Sequence, residues 1–242
     1  MPQFINQLVN KNHLFAGIKR SLPVAIGYIP IALTFGVVAS SMNLSVWVVF
    51  MMSALVFAGA SQFVAINLLA GGAGIFGIIV TTFFVNLRHL LMSATTTEKL
   101  RHEKKSWLAV MAFGITDESF SLLATDSRES LPRFYVIGLI AIPYLAWIGG
   151  SAAGAVIGGR IPALLESSME IALYAMFVGL LIPEIRTSSS KGLAALAAVV
   201  ISSVLLLLPG EISESWIITF STLFSALIAA SFDGAGDADD SS

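Results

Sequence analysis

The chain has 242 residues, of which 56% are hydrophobic and only 12% charged, with a net charge of −2 and a mean hydropathy of +0.87. Soluble domains carry about a quarter charged residues, so this composition excludes an ordinary water-soluble enzyme or binding domain. The lack of cysteine excludes disulfide scaffolds, thiol catalysis and cysteine-ligated metals. The three histidines, His13, His89 and His102, lie far apart with no companion at metal-ligand spacing, so neither a metal nor a cofactor is expected.

Residues 1–20 place Phe4, Leu8, Phe15 and Ile18 at near-helical spacing beside Lys11, Lys19 and Arg20. This pattern predicts an amphipathic helix lying at the membrane interface. A cleaved signal is not expected, because the lead is long and Pro23 and Pro30 fall inside a full-length span. Apolar segments follow at 22–41, 44–70, 74–95, 107–125, 134–157, 169–184, 192–208 and 215–231, several of them near the ~20 residues that cross a bilayer. The second is too long for one simple helix and is interrupted by Gly59-Ala60-Ser61-Gln62, which weakens helical continuity and adds polarity at membrane depth. The sixth is short and ends at Pro183-Glu184. The tail 233–242 holds four aspartates among small residues; with no apolar face to bury, it is expected to be disordered and is given no function.

Lys and Arg collect in short cytoplasmic loops, which weighs two topologies against each other. If all eight segments cross, the two sides carry nearly equal numbers of cations. If segments two and six enter and return on the same side, Lys99, Arg101, Lys104, Lys105 and Arg160 join Lys11, Lys19, Arg20, Arg186 and Lys191 inside, leaving Arg128 and Arg133 outside. The expectation is therefore an all-α, polytopic membrane protein in the bacterial cytoplasmic membrane. It would have about six full spans plus two broken or re-entrant elements in one domain, 21–232, with both termini cytoplasmic. Residues 22–125 and 134–231 would then form an inverted repeat. At an offset of 120, Leu22-Pro23 aligns with Ile142-Pro143, Phe57 with Phe177 and Gly59 with Gly179; chance in apolar sequence accounts for these matches equally well, although inverted repeats with broken helices mark transporters.

In Phe57-Ala58-Gly59-Ala60-Ser61-Gln62-Phe63, small residues open the backbone beside polar side chains. Such a break can present amides and carbonyls to a substrate's carboxylate and ammonium, or it can be a packing kink with Ser61 bonded back onto its own helix. Asn86, His89 and Ser93 share a helical face; His89 suits proton relay or a purely structural role, and Arg88 snorkelling to headgroups or pairing. Asp117 and Glu118 stand in the middle of the 107–125 segment, where adjacent carboxylates need a reason to exist. Proton uptake and release is one reason; a static pair with Arg88 is the other. Gly150, Gly154 and Gly158 recur every four residues, a packing stripe for another helix or a separate membrane subunit.

Ser21-Leu22-Pro23 through Gly36, Gly59-Ala60-Ser61-Gln62-Phe63, Asn86-Leu87-Arg88-His89 and Thr116-Asp117-Glu118-Ser119-Phe120 together give the chain its resemblance to the AzlC family, large subunits of bacterial two-component branched-chain amino-acid exporters. The resemblance runs through most of residues 13–210. It implies efflux of leucine, isoleucine and valine, with methionine a further candidate, driven by the proton gradient in complex with a small AzlD-type membrane subunit. A homo-oligomer is a further expectation, and no nucleic acid is. The residues expected to bind substrate are Gly59, Ala60, Ser61, Gln62, Phe63 and Asn86, with Asp117, Glu118 and His89 coupling protons and Met52 among the apolar walls. No enzyme activity is expected. The rival readings are an intramembrane serine hydrolase, with Ser61 as nucleophile and His89 as base, and a passive small-solute channel.

Overall fold

The computed structural model describes residues 2–158, 160, 178, 181–182, 185–186, 189–208 and 214–239, without the side chains of 2–10, 214–215 and 233–239. All regular structure among them is helical: α1 Pro2–Ser41, α2 Val46–Val56, α3 Gly59–Ala70, α4 Ile75–Thr97, α5 Lys105–Phe113, α6 Asp117–Ala124, α7 Arg133–Gly158, α8 Ser189–Leu207 and α9 Glu214–Asp239. A single 3-10 turn, Glu98–Leu100, follows α4. Among the described residues, four stretches are long and apolar enough to cross a bilayer: Lys11–Ser41, Ile75–Leu100, Arg133–Gly158 and Ser189–Leu207. Two compact units share these helices, one formed by residues 1–62 and 86–167, the other by 63–85 and 168–242. Most of the expected sixth element, 169–184, lies outside the described residues.

The first unit is built on α1 and α7. A Cβ placed on Gly17 would lie 2.0 Å from the Tyr135 carbonyl oxygen, on Gly36 2.1 Å from that of Ser151, and on Gly154 2.1 Å from that of Leu33. Only glycine permits the two backbones to approach so closely. The contacts advance in the same sense along both helices, from Gly138 against Leu14 to Gly158 against Ser40. Helices α1 and α7 therefore run parallel, whereas inverted pairing of residues 22–125 with 134–231 requires them antiparallel. The stripe Gly150, Gly154, Gly158 seats an internal helix, α1, one of its two expected partners. This packing also carries α1 through Pro23 and Pro30, so residues 1–20, expected as a separate interfacial helix, continue without interruption into the first span.

Two further segments are broken helices that dip to the middle of this pair. Helix α2 is N-capped by Ser45, whose hydroxyl accepts from the Val48 amide, and it ends at Phe57 in the left-handed region (φ 42°, ψ 47°). The break thus falls at Phe57-Ala58, and Gly59-Ala60-Ser61-Gln62, expected to be the interruption, is the first turn of α3. The segment 107–125, expected as one full span, is broken as well. Helix α5 stops at Gly114, and α6 begins at Thr116 with a capping box closed by Ser119. The chain turns back there. Lys99 Nζ, ahead of α5, donates to the carbonyls of Leu123, Ala124 and Asp126 at the end of α6, at 3.0, 3.1 and 2.7 Å, and Glu103 pairs with Arg133 at 3.0 Å.

This return places Arg128 and Arg133 at the same end as Arg20, and Arg160, just past the C-terminal end of α7, at the opposite end, the reverse of what the sequence-based charge count expects for all three. Asp126, its side chain 3% exposed, accepts from Arg20 at 3.0 Å, Arg128 at 2.7 Å and Tyr135 at 2.9 Å. The Arg128 hydrogen bonds foremost hold the Asp126 carboxyl well below the usual carboxylate range, against the opposing effect of burial. An apolar cluster of Leu100, Met111, Leu123, Leu131, Tyr135, Val136 and Leu139 packs beneath this network.

In the second unit, α8 packs along α9, and the Thr81 and Thr219 hydroxyls lie 3.3 Å apart. Helix α9 runs to Asp239, so residues 233–239 of the tail expected to be disordered are helical. Extending a formed helix adds one bond per residue without a new nucleation step, which composition does not reveal.

Candidate functional site

Both breaks lie halfway along α1 and α7, where Tyr28 and Tyr144 project. The Tyr28 ring meets Phe57 edge-on at 6.3 Å and Trp147 at 5.6 Å; Phe57 and Phe113, one from each break, stand 6.5 Å apart, with Tyr144 5.0 and 5.7 Å from them. Five aromatic rings thus line the meeting point of four half-helix ends. The Tyr144 hydroxyl donates to the Ala54 carbonyl at 2.7 Å, which satisfies one of the last four carbonyls of α2.

The sequence-predicted residues divide among distinct local roles. Ser61 Oγ donates to the Ala58 carbonyl at 2.9 Å and accepts from Asn86 Nδ2 at 3.1 Å. Asn86 Oδ1 is buried with no donor in reach among the described residues. Gln62 is bracketed, donating to Ser53 Oγ at 3.2 Å and accepting from Trp147 Nε1 at 3.0 Å. Its amide therefore pins α3 to α2 and α7. Gly59 fits beneath the same indole, since a Cβ there would come within 2.7 Å of Trp147. Phe63 is buried and belongs to the other unit. Gln62 N donates to Ala58 O at 3.0 Å, so the amides of Gly59, Ala60 and Ser61 precede the first helical bond of α3. No acidic side chain occupies that turn, leaving the positive end of the helix dipole open to an anion.

Helix α6 differs at its positive end, because Asp117 and Glu118 occupy its first turn, the position where a helix dipole favours negative charge. Sequence places them mid-span; the structure places them at a helix start, which is the physical reason the fold tolerates them. Asp117 pairs with Arg88 at 3.0 Å, with side-chain exposures of 40% and 44%. Glu118 has a different partner: the Tyr28 hydroxyl lies 2.5 Å from its Oε2 and 2.8 Å from Thr116 Oγ1. One hydroxyl carries one proton, so when Tyr28 donates to Glu118 it must accept from Thr116. His89 sits one residue beyond Arg88 on α4 and is half-buried. The serine hydrolase arrangement is not formed, since the Ser61 proton goes to a backbone carbonyl and the group that reaches Ser61 is the Asn86 amide. Among the described residues there is no group of three or more metal-ligating side chains.

Sequence reasoning missed Tyr28, Tyr144 and Trp147. Their signal was present but faint: Tyr and Trp belong to interfacial belts in membrane helices, and these three fall mid-span.

A profile of the AzlC protein family matches residues 23–161, which takes in α1 from Pro23 onward, both breaks, the α4 motif and α7. Among relatives, an uncharacterized membrane protein of Archaeoglobus fulgidus is 34% identical over 199 residues, 78% of this chain and 86% of that protein. The inner membrane protein YgaZ of Escherichia coli is 30% identical over 230 residues, 91% of this chain and 92% of its own length. The branched-chain amino acid transport protein AzlC of Bacillus subtilis is 27% identical over 187 residues, 74% of this chain and 73% of that protein. No solved structure matches. With its apolar helices and these membrane-protein relatives, the chain is a multi-pass protein of the cell membrane; it belongs to the AzlC family and is a membrane transporter of the AzlC type.

Proposed function

We propose that this chain is the large subunit of a two-component exporter of branched-chain amino acids, leucine, isoleucine and valine with methionine as a further substrate, coupled to the proton gradient and working with a small AzlD-type membrane subunit. The observation that carries the reading is the meeting of two broken helices at mid-depth inside an aromatic wall. Irregular backbone at that depth is tolerated only where protein buries it or where it lines a cavity, and half-helix ends there suit a zwitterion. In this reading the amides of Gly59, Ala60 and Ser61 receive the substrate carboxylate. Asn86 Oδ1 and the free carbonyls at the end of α2 receive the ammonium. Phe57, Phe113 and Tyr28 meet the branched apolar side chain, with Met52 kept as a further apolar wall.

Proton coupling falls to Asp117, Glu118 and His89 in the same reading. Glu118 is the group best suited, because its neighbour is a hydroxyl that can donate or accept, whereas Asp117 already holds a cation. The orientation follows from charge: Lys11, Lys19, Arg20, Lys99, Arg101, Lys104, Lys105, Arg128 and Arg133 gather at one end of the first unit and Arg160 at the other, which assigns the cation-rich end to the cytoplasm. Vesicles containing this chain, with and without the small subunit, can be loaded with labelled leucine and followed with and without a proton gradient. Gradient-dependent uphill efflux is expected. Efflux that only runs downhill, gradient or not, would make the protein a channel, and no leucine movement in either preparation would end the exporter reading.

A further inference from the structure

A cavity lies between the breaks and the cation-rich end of the first unit, the end assigned above to the cytoplasm. Its volume is about 410 Å³, and its wall includes Thr95 and Thr96 of α4, Phe120 and Leu123 of α6, and the charged side chains of Glu98, Arg101 and Glu129. Small-molecule pockets are typically about 300–1,000 Å³, so the space suits a free amino acid. Lys99 also reaches this wall, but its ammonium is held by three carbonyls at the end of α6. It fixes the wall and leaves ligand chemistry to the others.

We propose that this cavity is a second, cytoplasm-facing binding site, an antechamber that takes the zwitterion of an apolar α-amino acid before it moves to the breaks. The proposal rests on the exporter reading. Carboxylates at Glu98 and Glu129 and a guanidinium at Arg101 in one cavity favour a ligand with both charges. A purely cationic or anionic solute meets repulsion from one set. Phe120 and the buried Leu123 supply the apolar side that a branched side chain requires. The Thr95 and Thr96 hydroxyls donate to Leu91 O and Met92 O at 2.9 and 2.7 Å, so toward the cavity they act as acceptors, suited to an ammonium.

Position supports a place on the transport path. The cavity lies between α4 and α6, the helices that carry the Arg88–Asp117 pair. Thr95 stands about two helical turns beyond Arg88 and Leu123 nearly two beyond Asp117, roughly 10 Å at 1.5 Å per residue. Cavity and central breaks are thus the outer and inner ends of one interhelical seam, with the Arg88–Asp117 bridge at its inner end.

The cysteine-free chain gives a direct test. Ala124→Cys at the cavity wall, with Thr95→Cys as a second position should the first fail to insert, is treated with a membrane-impermeant maleimide in inside-out vesicles. Leucine is expected to slow labelling about tenfold, and lysine, glutamate and leucinamide are not. Protection should disappear in the Arg101→Gln background and persist with Ser61→Ala, because occupancy is local to the cavity. For leucine presented at the cytoplasmic face, Arg101→Gln should also raise KM about tenfold with kcat unchanged. Leucine transport without any protection at either cysteine would overturn the antechamber and leave the exporter reading standing. Protection abolished by Ser61→Ala but not by Arg101→Gln would assign the effect to the central site and overturn it equally. Vesicles with neither transport nor protection would bring down both.

Discussion

Tyr28 on α1 and Glu118 on α6 lie far apart in sequence, yet the hydroxyl of one is 2.5 Å from the carboxyl oxygen of the other. The contact joins the rigid α1–α7 pair to the start of a half-helix, at the level where both breaks meet. If Glu118 exchanges a proton in the transport cycle, Tyr28 steadies one of its two states. Tyr28→Phe keeps the ring against Phe57 and Trp147 and removes only the hydroxyl. A hydrogen bond to a charged group contributes about 1.5–3 kcal/mol, so the leucine accumulation ratio at fixed proton gradient should fall roughly tenfold or more while the inserted amount stays at the wild-type level. A wild-type ratio would take Tyr28 out of coupling.

The Arg88–Asp117 pair is argued by removing each side in turn. Asp117→Asn leaves Arg88 without its counter-ion, and Arg88→Gln does the converse; each is expected to stop or uncouple export. Partners in contact are coupled by about 0.5–3 kcal/mol, so the double variant should recover most of the inserted protein lost in either single one. Uphill efflux should stay lost in the double variant if the pair moves during the cycle. Wild-type accumulation ratios in Asp117→Asn would remove that carboxylate from the mechanism.

Much of this arrangement was legible in residues and the remainder was not, for identifiable reasons. The all-helical membrane class follows from apolar runs alone, and the discontinuity near residues 57–62 from small residues within one of them. Its position was displaced because Phe57, a bulky aromatic, takes the left-handed conformation that sequence rules reserve for glycine or asparagine, held there by the surrounding rings. The second break escaped notice because Gly114-Ile115-Thr116 sits in an apolar run of spanning length, and a capping pair such as Thr116 and Ser119 looks the same in a loop or a hairpin. The direction of α7 relative to α1 was out of reach, since glycine spacing says that a helix packs closely and not which way its partner runs. Nor can a charge count see a segment that turns back, which is how Arg128 and Arg133 came to be assigned to the wrong end.

Asp126 gives a pH signature that differs from any transport effect. Its carboxyl titrates below the usual carboxylate range in the folded state, chiefly through Arg128. Such a depressed group stabilises the fold above its unfolded value, about 3.9, and the stabilisation is lost as pH falls through the folded value. Thermal unfolding of the detergent-solubilised protein should therefore show Asp126→Asn less stable than wild type at neutral pH. The gap should narrow steadily as pH drops below about 4. A gap of constant size across that range would mean that the Asp126 charge contributes nothing and only its shape matters.

The α1–α7 seam can be tested with two glycines of the same helix. Gly149 faces open space, while a Cβ on Gly154 would lie 2.1 Å from the Leu33 carbonyl oxygen. That neighbour is backbone and cannot rotate away, so Gly154→Ala must push the helices apart along a parallel contact that organises both breaks. Overpacking of this kind costs about 1–3 kcal/mol, and both melting temperature and efflux per inserted molecule should fall together. Gly149→Ala adds the same atom where nothing meets it and gains helix propensity, about 1 kcal/mol in soluble helices, so stability should hold or rise with efflux unchanged. Equal behaviour of the two variants would mean that the close approach of α1 and α7 does not hold the transporter together.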